Sequence, residues 1–294
     1  MGTLRLIVPD SGNAFESLGL GNFATPFRVK PYALYPLATD LLEPGQSIGD
    51  DICGGADLVA VGTPTNGAKY SSLTGANYYK TPFDGTTAQA SGDDSGLTYM
   101  AVFKSPPNAD PTLAPTTTSH LVGNYDSTAT IFGGSSLISR TGTGSGDIQG
   151  IQSVAGGGSG QSGSNVIATN ADPYRADHWT FAALPVPNGA ILRPWKGWSA
   201  YTPGTVAGNT GIVTGDLGDA FPLTQAGASG STTAIARDGG QAIGIGGDPW
   251  SGNYNTGTAH IMFAGVWNRA LSASEIATIF ADAKAWVDSI GEVL

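Results

Sequence analysis

Cleavage of a sugar polymer usually needs two carboxylates across one glycosidic bond, about 5–5.5 Å apart when configuration is retained. This sequence is poor in such residues. Among 294 residues only four are glutamate: Glu16, Glu43, Glu275 and Glu292. No two of them share a short segment. Aspartates adjoin at Asp50-Asp51 and Asp93-Asp94, but adjacent residues of a strand point to opposite faces. The histidines, His120, His178 and His260, lie far apart without metal-ligand spacing. The single cysteine, Cys53, excludes an intramolecular disulfide and a four-cysteine zinc site. As a nucleophile it would need a histidine partner; a small core or turn residue is the plainer reading. The stretches "GTGSGD" and "GIGGDP" lack the strand-to-helix context of a phosphate-binding glycine loop and read as turns. The residues therefore speak against an enzyme.

Binding chemistry is better represented. Tryptophan and tyrosine stack on the apolar face of a pyranose, while Asp and Asn bond its hydroxyls. Two loops hold such groups: "RPWKGWSAY", with Trp195, Trp198 and Tyr201, and "DPWSGNYN", with Trp250 and Tyr254. These five are the candidate glycan contacts. The plainer alternative is packing in a core or a subunit interface, where aromatics are also favoured. Trp179 and Trp286 are assigned to core packing. The net charge of −10 repels phosphate, and Lys and Arg form no cluster, so nucleic acid is not an expected partner.

The elements that must position these groups are mostly short strands. "YALYPLA", "LVAVGTPT", "LTYMAVFKS", "SHLVGNYD", "TATIFGG" and "SLISR" are rich in β-branched and aromatic residues and end at turn residues. Ala155–Asn165, rich in Gly and Ser, reads as a loop. "HWTFAALPVPNGAILRPWKGW" reads as two strands about a Pro-Asn-Gly turn, and "TTAIARDGGQAIGIGG" as a second hairpin turning at Asp238-Gly239-Gly240. "AHIMFAGVWNRA" is the last strand. Strands recur every ten or so residues with no helical period before residue 272, which predicts a two-sheet sandwich. A helix over about 272–290 then follows. Ser272 and Glu275 form a capping box. Ile276, Ile279, Phe280, Ala283, Val287 and Ile290 keep helical spacing, and Gly291 ends it. Residues 1–31 read as an extended arm, able to dock on a neighbouring subunit or on its own domain; residues 32–294 form the domain.

"VWNRALSASEIATIF" resembles the closing motif of laminin-G-like, concanavalin A-like jelly-roll domains, in which an aromatic-Asn-Arg turn leads into Leu-Ser-x-x-Glu-Ile. Here those residues are Trp267, Asn268, Arg269, Leu271, Ser272, Glu275 and Ile276. "LTYMAVFKS", "DHWTFAAL" and "QAIGIGGDP" fall in the family's order, so the likeness spans roughly residues 32–290. It implies an all-β, antiparallel two-sheet sandwich with one C-terminal helix. It also implies calcium as the candidate cofactor, for which "SGDDSG" (Asp93, Asp94) and "GGDPWSGN" (Asp248, Asn253) are the candidate loops; Asp and Asn in Gly-rich turns also serve turn geometry. The Glu-x-Asp-x-x-Glu signature of laminarinase-type enzymes is absent, as are the Arg, His, Gln and Tyr motifs of lyases of this fold.

No run of about 18 apolar residues spans a membrane, and "MGTLRLIVPDSG" reads as no export signal. With the arm and the lack of disulfides, this leads to the expectation of a bacteriophage virion protein, made in the host cytoplasm: a tail fibre or a head or tail decoration. It would be non-enzymatic and oligomeric, meet other virion proteins through its arm and meet a host glycan through its loops. A free lectin, calcium-dependent or not, is the alternative, and a polysaccharide hydrolase or lyase the third reading.

Overall fold

The computed structural model describes residues 25–92, 96–104, 117–128, 131–142, 145–153, 162–166, 179–187, 195–197, 241–249 and 256–294. In chain order the strands are β1 (Ala33–Pro36), β2 (Val59–Val61), β3 (Thr65–Asn66), β4 (Ser71–Thr74), β5 (Tyr78–Asp84), β6 (Gly96–Lys104), β7 (Thr117–Gly123), β8 (Asp126–Thr128), β9 (Ile131–Gly133), β10 (Ser135–Gly142), β11 (Ser145–Ser153), β12 (Ser162–Val166), β13 (Thr180–Pro187), β14 (Trp195–Gly197), β15 (Ala242–Ile245) and β16 (Thr258–Trp267). Two α-helices accompany them, α1 (Gly85–Ala90) and α2 (Ala273–Ser289).

Fourteen of these strands make two antiparallel sheets, as the sequence pattern predicts, and β8 and β9 pair separately with each other. Sheet A runs β14-β13-β6-β16-β4-β3, with β1 also on β16. Sheet B runs β12-β11-β10-β7-β15-β5-β2. From β4 to β7 successive strands alternate between the sheets, as they do from β15 to β16; this wiring makes a jelly-roll sandwich. β16 is the organising strand. It pairs with β6 along one edge, while its other edge is shared by β4, from Thr258 to Ile261, and β1, from Phe263 to Val266.

The centre of sheet A is buried on both faces, and the side-chain period shows why. Along β6, Leu97, Tyr99, Ala101 and Phe103 enter the core between the sheets, while Met100 and Val102 enter a second core beneath α2. Along β13, Ala182, Leu184 and Val186 face sheet B, while Phe181 and Ala183 face α2. A strand covered on both sides reads as an unbroken apolar run, and "LTYMAVF" is that run. α2 supplies the second cover through Ile276, Ile279, Ala283 and Val287, all buried. Phe280, Trp286 and Ile290 are partly buried against the same cluster.

The helix is fixed at both ends. Ser272 Oγ accepts from the Glu275 N–H, and the Glu275 carboxylate accepts from the Ser272 N–H at 2.9 Å, the reciprocal capping box. Gly291, at φ +76°, makes the left-handed residue that ends it. Phe27 packs edge-on against Trp267 and Trp286, and Arg28 pairs with Asp282 on α2 at 2.8 Å. Thus the described part of the N-terminal segment packs on its own domain, and residues 1–24 lie outside the described residues.

The sequence reading names no strand at β4 or β5, and it departs from the structure or goes beyond the described residues at three further places. β12 overlaps the end of the Ala155–Asn165 stretch that reads as a loop; it pairs with β11 at the sheet edge, where a backbone ladder asks nothing of Gly and Ser side chains. β15 pairs with β5 and β7, and the first arm of its expected hairpin lies outside the described residues. The six-residue α1 has no apolar period long enough to be read.

Arg269 lies 2.5 Å from Glu275. That hydrogen bond, with those from Ser272, holds the Glu275 carboxyl down to about 2. A carboxyl held below its usual range stabilises fully above about pH 4.5, and that contribution fades as pH falls toward 2. Glu275→Ala should therefore cost about 1 kcal/mol of unfolding free energy at pH 7. In denaturant titrations the gap from wild type should close as pH approaches 2.

Candidate functional site

Trp198, Tyr201, Trp250 and Tyr254 lie outside the described residues, as do Asp93, Asp94 and Asn253. Trp195 opens β14 at the edge of sheet A, its backbone opposite Ala183. Asp248 is described: it is buried in the turn after β15 and its charge helps raise the Tyr78 hydroxyl's pKa, second to burial. Among the described residues no three His, Cys, Asp or Glu side chains gather as metal ligands.

What the described residues do bring together is a row across the outer face of sheet A, where the cover of α2 runs out. Outward positions on β6 are apolar at Met100 and Val102 and become cationic at Lys104. Its cross-strand partner on β16 is His260, whose own partner on β4 is Ser72. Tyr70, two residues before Ser72 on the same face, stacks on His260 with centroids 4.2 Å apart and planes 18° apart. On the other side Trp179 precedes Thr180, which pairs with Phe103. This sets the indole beside Lys104, whose Nζ lies 5.1 Å from the ring centroid, a cation–π distance. Tyr70 and Trp179 close the row at 6.0 Å.

Trp179 is 4% exposed and anchors the row from the core, as its assignment to core packing anticipates. Tyr70, Lys104 and His260 are half-buried. The Trp179 indole N–H donates to Glu292 Oε2 at 2.8 Å. Lys69 lies 3.0 Å from Asp40 and 3.8 Å from Glu292 and donates to the Ile290 carbonyl. Burial, then the Lys104 charge, lowers the His260 pKa below its usual 6.5. At pH 7 its ring is therefore neutral, with one nitrogen donor and one acceptor. Neither nitrogen has a hydrogen-bond partner among the described residues. The row thus offers aromatic surface, an ammonium and a neutral imidazole, the groups that hold a sugar ring and its oxygens.

Two other groups could have carried chemistry. His120 Nε2 lies 2.9 Å from Ser136 Oγ, the spacing of a base and a nucleophile. Both side chains are wholly buried, and burial drives the imidazole pKa down to about 3. Ser136 Oγ also accepts the Tyr125 N–H at 3.0 Å. The pair therefore joins two strands of sheet B rather than facing a substrate. The Cys53 thiol is pushed up to about 12, chiefly by burial and then by Asp51, so it stays protonated at neutral pH. Its neighbour Asp51 is 7% exposed and accepts backbone N–H groups from Leu34, Cys53 and Gly55. That carboxylate clips the loop to β1.

The row was missed in the sequence because its members come from four distant segments. One signal was present: in "TAHIMF" a polar His interrupts an otherwise apolar strand.

No protein-family model matches the chain, and no curated protein sequence matches it. Among solved structures it is similar to a Trypanosoma rangeli sialidase in complex with 2,3-difluorosialic acid, with TM-score 0.48, 12% identity and coverage of 87% of this chain and 33% of that one. It is also similar to the receptor-binding domain of the botulinum neurotoxin C/D mosaic serotype, with TM-score 0.47, 8% identity and coverage of 85% and 51%. The chain thus spans a third of the first and about half of the second. Likeness at this level carries nothing about function.

Proposed function

We propose that the chain is a non-enzymatic binding module that holds a glycan on the outer face of sheet A. The observation that carries this is the row Tyr70–His260–Lys104–Trp179. It joins half-buried aromatic surface to hydrogen-bonding groups beside a rigid, doubly covered sheet. The carboxylates support the non-enzymatic part. Glu275 is held in the helix cap, and Asp40 and Glu292 share Lys69 as counter-ion, while Glu43 lies exposed in a turn where its backbone N–H donates to Gln46 Oε1. The loops around Trp195, Trp198, Tyr201, Trp250 and Tyr254 remain the sequence's own candidates for additional contacts, and calcium its candidate cofactor.

The finer reading is a structural or adhesion module of a virus particle, anchored by the N-terminal segment. Its support is the sequence: an acidic, disulfide-free chain whose first residues read as an arm.

A glycan array with wild type and a Tyr70→Ala, His260→Ala double variant tests the binding reading. The double variant should lose at least about tenfold in affinity, since stacking and paired polar contacts are worth about 1.4 kcal/mol or more together. Its unfolding transition should remain cooperative. Retained affinity contradicts the site, whichever glycan binds. Removing residues 1–24, which leaves Phe27 and Arg28 in place, should abolish incorporation into particles; unchanged incorporation contradicts the anchor.

A further inference from the structure

The charges around the row are unequally matched. Both carboxylates beside it are engaged: Asp40 with Lys69 at 3.0 Å, and Glu292 with the Trp179 N–H at 2.8 Å and Lys69 at 3.8 Å. Lys69 is satisfied in turn by these two and by the Ile290 carbonyl. Lys104 differs. Among the described residues it has no carboxylate within ion-pair distance, only the face of Trp179 at 5.1 Å. An ammonium over a ring directs part of its donor capacity at the ring and keeps the rest for an oxygen.

Position adds to charge. Cross-strand register sets Lys104 beside His260, and Tyr70 lies flat on the other side of that imidazole. A ligand meeting the aromatic pair therefore meets the ammonium one strand away, about 5 Å across the sheet. Lys104 as a residue is half-buried, and its ammonium has the indole on one side, so its attraction to an anion is screened less than that of an open surface lysine.

We infer that the row selects an acidic sugar, one whose carboxylate is received by Lys104 while its ring lies against Tyr70 and His260. This rests on the glycan reading above and adds the ligand's charge to it. The imidazole, neutral at pH 7, bonds ring hydroxyls, and the Trp179 indole shields the ion pair from below.

The test uses the full chain and three families of acidic oligosaccharide: galacturonate, hyaluronan and alginate fragments. Each is paired with its carboxyl-reduced counterpart, which has the same backbone without the charge. Calorimetric titration should show at least one acid form binding about tenfold more tightly than its reduced partner, equivalent to about 1.4 kcal/mol. That preference should shrink as salt rises. Lys104→Gln should erase the preference, bringing the acid form down to the affinity of its reduced partner in the same variant, and Lys104→Arg should keep it, an outcome that a merely structural lysine would not give. Equal affinity for acid and reduced forms, lost in the Tyr70→Ala, His260→Ala variant, overturns charge selection and leaves the glycan reading standing. A preference that survives Lys104→Gln overturns the role of Lys104. If no member of any pair binds, and the neutral sugars of the glycan array also fail, both readings fall.

Discussion

The pairing of β16 with β6 at the centre of sheet A is the constraint on which the rest of the molecule depends. These two strands are apolar on both faces, so neither face can be left to water. Sheet B covers one, through Leu121, Val122, Ile243 and Ile245. α2 covers the other, and this is why a chain of short strands ends on one strongly capped helix. Burial of a large aliphatic or aromatic side chain contributes about 1.5–3 kcal/mol, and the second core holds many. Its loss would expose Met100, Val102, Phe181 and Phe263 together. The capping box, the Arg269–Glu275 pair, the Gly291 turn and the Arg28–Asp282 clamp all serve to keep that helix in place.

The candidate site follows from the same constraint. The outward positions change character along the strands: Met100 and Val102, in the core beneath α2, give way to Lys104, and Phe263 and Met262 to His260. Trp179 bridges the two regimes, with its ring in the core and its N–H on Glu292 near the helix's end. The floor of the site thus adjoins a strand pair buried on both faces. A site on such a floor loses little entropy when a ligand orders it.

Much of the fold was legible. Strand rhythm gave the sandwich, because period-two alternation and turn residues are local properties. The helix was legible to its caps, since Ser272, Glu275 and Gly291 act over one turn. The candidate site was not, for a geometric reason. Counted by parity, His260 and Trp267 are seven apart and belong on opposite faces. A bulge between Ile261 and Phe263 shifts the register by one residue, so both face outward. Nothing in "HIMFAGVW" announces that shift. The stacking of Tyr70 on His260 and the placement of Lys104 beside Trp179 depend on register between strands far apart in sequence. Sequence could rank aromatics only by the loops they occupy, which favoured Trp195, Trp198 and Trp250 over Tyr70.

Where a sugar sits on this chain decides between those two sets of residues, and nuclear magnetic resonance can map it. Acidic oligosaccharide added to isotopically labelled protein should move the ring signals of Tyr70 and His260, the Lys104 side chain and the Trp179 indole N–H together. The signals of β7 and β10 in sheet B should stay still. Perturbations confined to the loops carrying Trp195, Trp198 and Trp250, with the four residues of the row silent, would contradict the account.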